Sequence, residues 1–175
     1  NIEEDHLDFF KDIQDIRHSF GEFVKRLPDG GLLVINSGID RPEEIVGEKK
    51  CRVITFGKGT DSDYTAENIT YDEFARPSYD LVIRGEHVGR VTLGVTGEHN
   101  VYNSLAALAV VLELWVNLDA AIAGLKVFGG TDRRFEKKGV VGGVTIIDDY
   151  AHHPQEIHAT LEAARHYPHR KPWCV

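Results

Sequence analysis

Two short runs of apolar and β-branched residues, separated by a segment long enough for a helix, constrain the fold of this chain most strongly. Residues 32–35 read LLVI and residues 52–56 read RVITF. Continuous runs of this kind are typical of strands covered on both faces in a parallel sheet. Parallel strands need a crossover connection, which a short helix with loops in residues 38–50 can supply. The sequence therefore predicts a β-α-β unit and an α/β fold.

Periodic patterns on both sides of this unit predict further helices and strands. Between Asp5 and Leu27, apolar residues recur every three or four positions, which predicts a helix that ends at PDGG. Residues 64–95 alternate between apolar and polar, as antiparallel strands do. A helix is predicted from residues 97–100 to Trp115, and another from an N-cap at Asp119 to Val127. The parallel sheet is thus expected to carry an added antiparallel portion.

The turn cluster FGGTD at residues 128–132 is the best candidate for a linker. It divides the chain into predicted domains at 1–130 and 131–175. Within the second domain, Val144 to Ile147 is expected to form a buried strand and Pro154 to Arg165 a helix, with Pro154 in its first turn. Residues 172–175 are expected to form another strand, which would repeat the β-α-β pattern.

Charge and cysteine content narrow the possible functions. The 175 residues include 28 acids and 20 bases, a formal charge of −8, which argues against general binding to nucleic acid. Cys51 and Cys174 are far apart in sequence, which disfavours a disulfide scaffold or a thiolate zinc site. No apolar stretch approaches the ~20 residues of a membrane span, and the opening residues do not resemble a signal peptide. We expect a cytoplasmic protein with small-molecule partners and no membrane or nucleic-acid partner.

The two ends of the sequence suggest a piece of a longer protein. The chain opens on Asn1 rather than methionine, and it stops at Trp173, Cys174 and Val175, where a strand is expected to begin.

The densest group of titratable residues, DDYAHHP, follows the predicted strand at Val144 to Ile147. In open α/β sheets, ligands bind beyond the carboxyl ends of strands, close to the amides of the next helix. Asp148 and Asp149 could accept hydrogen bonds from a sugar diol, while Tyr150, His152 and His153 could orient a second substrate or carry a proton. Each residue alone is better explained as a helix cap or a solvated loop residue. Together, at a strand end, they favour a functional site.

Three other segments carry weaker signals. In GEHNVYN, the side chains of His99, Asn100 and Asn103 occupy the first helical turn and could contact a purine edge, although Asn is also an ordinary capping residue. In RRF, Arg133 and Arg134 could bind phosphate, although such pairs are usually solvated. His6 lies in the acidic segment NIEEDHLD, where either a divalent metal or the acidic start of a helix would fit.

A phosphate-binding loop of the form G-x-x-x-x-G-K-[ST] is missing from these 175 residues. Residues 57–60, GKGT, contain similar letters but lack the spacing, so a turn after a strand is expected there.

The ordered segments NIEEDHLD, GEHNVYNSLAA, RRFEKKG and DDYAHHPQEIHATL resemble the Mur ligases of peptidoglycan synthesis. The resemblance covers essentially the whole chain and is greatest to the members that join L-alanine to UDP-N-acetylmuramate. It implies the second part of a central ATP-binding domain, followed by the first part of a Rossmann-like C-terminal domain. It also implies an amide ligase that uses ATP and Mg²⁺ and proceeds through an acyl phosphate.

The same resemblance implies roles for particular residues. His6 would ligate the metal; Asn100 and Asn103, with His99 beside them, would contact adenine; Asp149 would contact the ribose. Arg134 would contact the nucleotide and its phosphates and act in catalysis. Tyr150 and His152 would line the L-alanine pocket, with His152 a second catalytic candidate. The family's phosphate loop, a metal-binding glutamate and its UDP-sugar domain precede the matched region, so the isolated chain is expected to lack ligase activity and to bind ATP weakly.

Three alternatives remain open at this point. A tripeptide ligase of peptidoglycan recycling usually has Phe where Tyr150 stands and His-Ala-Asp where residues 6–8 read HLD, so Tyr150 and Leu7 favour the L-alanine enzyme. A metal-dependent hydrolase could use His6, His152, His153 and the aspartates to activate water. A nucleotide-binding domain without catalysis is the third alternative.

Overall fold

The computed structural model describes residues 2–175, which form two units joined by residues 128–132. The N-terminal unit, residues 2–127, contains four helices and a five-stranded sheet. Its elements are α1 (Ile13–Lys25), β1 (Leu32–Asn36), α2 (Glu43–Val46), β2 (Arg52–Phe56), β3 (Tyr64–Tyr71), β4 (Pro77–Ile83), β5 (Glu86–Thr92), α3 (His99–Glu113) and α4 (Leu118–Val127). The C-terminal unit, residues 133–175, contains β6 (Glu136–Val141), β7 (Val144–Asp148) and α5 (Pro154–His166).

The five-stranded sheet has the order β1-β2-β3-β4-β5. Strands β1 and β2 are parallel and in register from Leu32 opposite Arg52 to Asn36 opposite Phe56. The pairs β3-β4 and β4-β5 are antiparallel, so the predicted combination of a parallel and an antiparallel portion is confirmed. Residues 57–60 form the expected turn after β2.

The core lies between this sheet and α3. Tyr79, Leu81 and Val91 from the sheet and Leu105 from α3 are all 0% exposed and belong to one cluster of buried side chains. The hydroxyl of Tyr79 is buried with its ring. It is not left unpaired, because its oxygen lies 2.6 Å from the Ser104 hydroxyl oxygen and the two groups share a hydrogen bond. Burial raises the pKa of Tyr79 to about 12, so this hydroxyl stays protonated. The packed core fixes the N-terminus of α3 beside the end of the sheet.

Two helix boundaries differ from the prediction. Helix α1 begins at Ile13 and not near Asp5, because Asp12 caps it by accepting hydrogen bonds from the backbone N–H groups of Gln14 and Asp15. Phe9, which fits the helical pattern, lies before this cap and is 80% exposed. Helix α4 is capped by Asn117, whose side chain accepts from Ala120 N; the predicted cap, Asp119, occupies the first turn instead.

Two predictions for the C-terminal unit are wrong. Val144–Ile147 do form a strand, but it is not buried, since Val144 is 59% and Ile146 46% exposed. The reason is that β7 pairs with β6 in an antiparallel hairpin, and no second neighbour lies beside it within residues 2–175. Residues 172–175 form no strand, so the second β-α-β unit does not appear. Strand β6 was missed because its sequence, EKKGVV, lacks an apolar alternation.

The predicted last helix is confirmed as α5, with Pro154 in its first turn. Its cap is His153 rather than either aspartate of DDYAHHP. The His153 side chain accepts a hydrogen bond from Gln155 N, and the Glu156 carboxylate accepts one from His153 N. None of the helices in the described part of the chain is both long and apolar enough to cross a bilayer.

Candidate nucleotide-binding cleft

A cleft of about 1190 Å³ lies between the two units. It is lined by the N-terminus of α3, the segment before α1, one side of α1, the first two turns of α5 and residues 128–131. Seven of the residues singled out from the sequence line it: His6, His99, Asn100, Asn103, Arg134, Asp149 and His153. These residues come from four segments that are separate in sequence, and only the fold brings them together.

The amide of Asn103 is presented to the cleft by its neighbour Asn100. Asn100 donates from Nδ2 to the Thr96 carbonyl at 2.8 Å and accepts at Oδ1 from Asn103 Nδ2 at 3.1 Å. Both functional ends of Asn100 are therefore engaged in local structure. Asn103 is exposed and retains its side-chain oxygen and one N–H for a ligand. Asn103 is thus better placed than Asn100 to bind a purine edge directly.

His99 lies on the same helical turn and faces the C-terminal unit. Burial lowers the pKa of His99 below its ordinary value of 6.5; the Asp149 carboxylate opposes this effect and the Arg134 guanidinium adds to it. His99 is therefore a neutral imidazole at neutral pH, able to donate from one ring nitrogen and accept at the other. The charges of Asp149 and Arg134 reach His99 because the two units approach each other at this point.

Asp149 organises the backbone on the opposite wall of the cleft. Its Oδ2 accepts from Phe135 N at 3.0 Å and from Thr160 Oγ1 at 2.9 Å, and its Oδ1 accepts from Ala151 N at 2.9 Å. A carboxylate can accept about four hydrogen bonds. These three contacts leave one acceptor position, which is enough for a single hydroxyl of a bound ligand.

Arg134 lies in the turn before β6, and its side chain is about half exposed. Its Nη1 donates to Glu156 Oε1 at 3.2 Å, while Glu156 Oε2 also accepts from His152 N. These contacts lower the pKa of Glu156, the backbone bond from His152 having the largest effect. Glu156 stays ionised and holds Arg134 at the cleft, with the remaining guanidinium N–H groups available for an anion.

Tyr150 and His152 are not brought to the lining of this cleft. Tyr150 is 58% exposed, and its ring lies 5.2 Å from the His152 ring and 5.8 Å from the Arg133 guanidinium. His152 Nδ1 lies 3.0 Å from the Tyr150 carbonyl oxygen. The two residues form a small surface cluster beside the cleft. The side chain of Asp148 likewise stays outside it, 3.7 Å from Lys138 Nζ.

His153, which the sequence suggested could orient a substrate or carry a proton, lines the cleft and contacts the N-terminal unit. Its Nε2 lies 3.3 Å from the Glu4 carbonyl oxygen, and its Nδ1 lies 3.5 Å from Glu3 Oε2. The spacing His153-x-x-Glu156 fits the capping-box pattern, but the usual first residue of that pattern is Ser or Thr. A capping-box pattern that also admits His as its first residue would identify this cap from the sequence.

The segment around His6 offers only part of a metal site. His6 Nε2 lies 3.6 Å from Asp5 Oδ2, and both side chains line the cleft. Within residues 2–175, no group of three His, Cys, Asp or Glu side chains is arranged to hold a metal ion. Magnesium usually takes one or two protein carboxylates and completes its shell with phosphate and water oxygens. His6 and Asp5 could therefore supply part of the coordination shell of a magnesium ion, but they do not form a complete site built from protein side chains.

The low pKa of His99 predicts a loss of stability in acid. Because the unfolded chain binds a proton near pH 6.5 and folded His99 binds it only at lower pH, the unfolded state holds more protons as the pH falls below 6.5. We expect the Tm to fall on acidification from about pH 7.5 to about pH 5, and to fall less in His99→Gln. Thermal unfolding at both pH values measures this. His18→Gln, at an exposed histidine of α1, is the control, and an equal fall in all three proteins would contradict the assignment.

Sequence and structure comparisons identify what the chain is similar to. Residues 1–111 match the family model of the Mur ligase middle domain, and residues 133–175 match that of the Mur ligase, glutamate ligase domain. The chain is 56% identical, over 176 residues, to UDP-N-acetylmuramate--L-alanine ligase of Lachnospira eligens, an alignment that covers 100% of this chain and 38% of that protein. The chain thus spans about two fifths of the length of this relative.

Solved structures show the same fold. UDP-N-acetylmuramate-alanine ligase MurC from Thermotoga maritima superposes with a TM-score of 0.75 and 28% identity, covering 93% of this chain and 36% of that one. MurF ligase from Thermotoga maritima in complex with ADP superposes with a TM-score of 0.80 and 23% identity, covering 96% of this chain and 38% of that one. The second comparison concerns the fold alone.

Proposed function

Because this chain belongs to the Mur ligase family, we propose that it forms part of an ATP-dependent ligase that joins L-alanine to UDP-N-acetylmuramate. The observation that carries the proposal is the convergence of His99 and Asn103 from one unit with Arg134 and Asp149 from the other on a single cleft. An amide and an imidazole suit a purine, a carboxylate suits a ribose hydroxyl, and a guanidinium suits phosphate. The cleft therefore has one group for each part of a nucleotide.

Each group has a specific task in this proposal. Asn103, positioned by Asn100, contacts the adenine edge, and neutral His99 supplies a second donor or acceptor. Asp149 gives its remaining acceptor position to a ribose hydroxyl, while its other contacts keep the loop in place. Arg134 binds the phosphates and stabilises the charge of the transferring phosphoryl group.

The chemistry then follows two steps. A carboxylate oxygen of UDP-N-acetylmuramate attacks the γ-phosphorus of ATP, which forms an acyl phosphate and releases ADP. The amine of L-alanine attacks the acyl carbon, and the tetrahedral intermediate loses phosphate to give the amide. Tyr150 and His152, clustered beside the cleft, are proposed to orient L-alanine and to accept the amine proton at the imidazole.

Magnesium would be held here in part by His6 and the adjacent Asp5, with phosphate oxygens as its main ligands. When bound, the ion neutralises charge on the transferring phosphoryl group. We also propose that the domain boundary lies at residues 130 and 131, so that closure of the two domains about this turn assembles the cleft.

A chimera tests the proposed function directly. Residues 1–175 would replace the matching segment of the Lachnospira eligens ligase, to which they are 56% identical. We expect phosphate release from ATP that requires both UDP-N-acetylmuramate and L-alanine. Asn103→Ala in the chimera is expected to raise the KM for ATP at least tenfold, since a bidentate contact contributes about 1.4 kcal/mol or more. Gln14→Ala, on the exposed side of α1 away from the cleft, is the control.

The same assay separates the alternatives. Phosphate release that depends on a tripeptide in place of L-alanine would identify the recycling ligase. A folded chimera that hydrolyses ATP, or a peptide, without forming an amide would contradict the ligase assignment. The isolated 175-residue chain is expected to show no alanine-dependent phosphate release, because it lacks a phosphate-binding loop.

A further inference from the structure

Helix α5 connects the two units along its whole length, beginning with two ring contacts at its C-terminal end. The His166 ring stacks on the Tyr71 ring, with centroids 5.7 Å apart and an interplanar angle of 21°. The Tyr167 ring lies 6.1 Å from the Phe74 ring. Tyr71 and Phe74 belong to the end of β3 and the turn that follows it, in the N-terminal unit. These rings fasten the far end of α5 to the five-stranded unit.

The C-terminal half of α5 packs against the turn before α3. Ala163 is the one buried residue of α5, at 3% exposure. Its partner is Gly97, whose φ of 98° favours glycine, and where an added Cβ would lie 3.2 Å from Ala163 Cβ and 2.7 Å from His99 Cε1. Two small residues thus let the helix approach the backbone beside His99 closely.

The N-cap of α5 and its first two turns carry polar contacts at the cleft. His153 reaches Glu3 and the carbonyl of Glu4, and Thr160 donates to Asp149 at 2.9 Å. The contact residues of α5 and of its two caps, at positions 153, 160, 163, 166 and 167, recur at the spacing of one helix face. This face runs from Asp149 at one end to the aromatic contacts at the other.

We propose that Tyr71 and Phe74 are positioning residues, which hold the C-terminal end of α5 and thereby set Asp149 opposite His99. The 13 residues of α5 form a rod of about 20 Å, so a displacement at one end is transmitted to the other. The inference rests on the proposed function for the identity of the ligand, because Asp149 and His99 belong to the proposed nucleotide site. No residue of the aromatic contact lines that cleft, so the two residues act at a distance from the chemistry.

Tyr71 is also tied to the N-terminus of α3. Its hydroxyl donates to Glu98 Oε2 at 3.3 Å, and Lys58 Nζ donates to Glu98 Oε1 at 3.0 Å. Burial, followed by the nearby Glu98 carboxylate, raises the pKa of Tyr71 to about 12, so the hydroxyl remains a donor. Glu98 directly precedes His99. The ring that holds α5 is therefore anchored to the same turn that presents His99.

Distances between the units, measured without nucleotide, test this inference. Spin labels would be placed at Asp119→Cys in α4 and His158→Cys in α5, both exposed, in a Cys51→Ser, Cys174→Ser background. Pulsed electron paramagnetic resonance then gives the distance distribution. In Tyr71→Leu/Phe74→Leu we expect the ratio of separated to docked units to rise about tenfold, which is the scale of losing two aromatic contacts.

Matched variants make the result specific. Tyr71→Phe loses only the hydrogen bond to Glu98 and keeps the ring that stacks on His166, so it should retain the docked distance. Trp115→Leu removes a 93% exposed ring elsewhere and should change nothing. The double variant His166→Leu/Tyr167→Leu removes the partner rings at the C-terminal end of α5. If Tyr71→Leu/Phe74→Leu unfolds, the same distance measurement on this second double variant tests the inference. If the distance distributions of the double variants superpose on that of the labelled protein with all four rings intact, the inference is overturned. Because no nucleotide is present, failure of ATP binding in a separate titration would contradict the proposed function and leave this measurement unaffected.

Discussion

Replacing Asp149 by asparagine is expected to cost about 3 kcal/mol of stability in the C-terminal unit, since it weakens three hydrogen bonds to one ionised group. Phe135 N, Ala151 N and Thr160 Oγ1 all donate to the carboxylate of Asp149. An asparagine has one acceptor oxygen, so its NH₂ group must face at least one of these donors. The connection from β7 to α5 and the backbone at Phe135 would then lose their common anchor.

Asp148→Asn is the matched control for this substitution. Asp148 is the adjacent acid, and its side chain is 44% exposed and 3.7 Å from Lys138 Nζ. A partly exposed pair of this kind contributes at most about 1 kcal/mol. Chemical denaturation, followed by hydrogen exchange of residues 133–166, measures both variants. Equal stability of the two variants would show that the contacts of Asp149 do not organise the loop, and would leave only its proposed role toward ribose.

Replacing Gly94 by alanine is expected to displace the connection between the two units and to destabilise the protein by roughly 2 to 4 kcal/mol, the scale of overpacking and strain in a well-packed region. An added Cβ at Gly94 would lie 2.4 Å from the Phe128 carbonyl oxygen and 2.7 Å from the Lys126 carbonyl oxygen. Both obstacles are backbone atoms, which cannot rotate away as a side chain can. The end of α4 and residue 128 must therefore move, and residues 128–131 line the cleft.

Gly89→Ala provides the comparison for Gly94→Ala. Gly89 lies in the neighbouring strand β5, where an added Cβ would make an ordinary contact of 3.6 Å with Ile122 Cδ1. We expect Gly89→Ala to be neutral or slightly stabilising, because alanine loses less conformational entropy than glycine on folding. Thermal unfolding gives both effects. A Tm for Gly94→Ala that matches that of Gly89→Ala would mean that the backbone yields at little cost.

The local pattern of apolar and polar residues was sufficient to predict most of the strands of the N-terminal unit. The apolar runs at residues 32–35 and 52–56 became paired parallel strands, and the alternating stretch became three antiparallel strands. Both patterns reflect which faces of a strand are covered, and this information lies within a few residues. The predicted start of α1 is too early because periodicity alone does not reveal a cap, and α1 begins only after Asp12, whose backbone is extended.

Predictions that depended on distant neighbours were less accurate. The β-branched residues of β7 suggested a strand covered on both faces, but β7 has β6 as its sole hydrogen-bonded neighbour in the described residues, and Val144 and Ile146 stay exposed. Residues 172–175 have the composition of a strand and no pairing partner. Whether such a segment pairs is decided by what lies beside it, which a short sequence window does not contain.

The sequence by itself determined the chemistry available to this protein, since the imidazoles, amides, carboxylate and guanidinium of the four resembling segments can be read directly from it. Only the tertiary structure decided which of them meet: His6, His99, Asn103, Arg134 and Asp149 share a cleft, while Tyr150 and His152 lie outside its lining. It also showed that Asn100 and Asp149 use most of their hydrogen-bonding groups in contacts with neighbouring backbone and side-chain groups of the protein. The physical reason is that side-chain identity is a local property, whereas convergence depends on how α5 packs across the turn before α3.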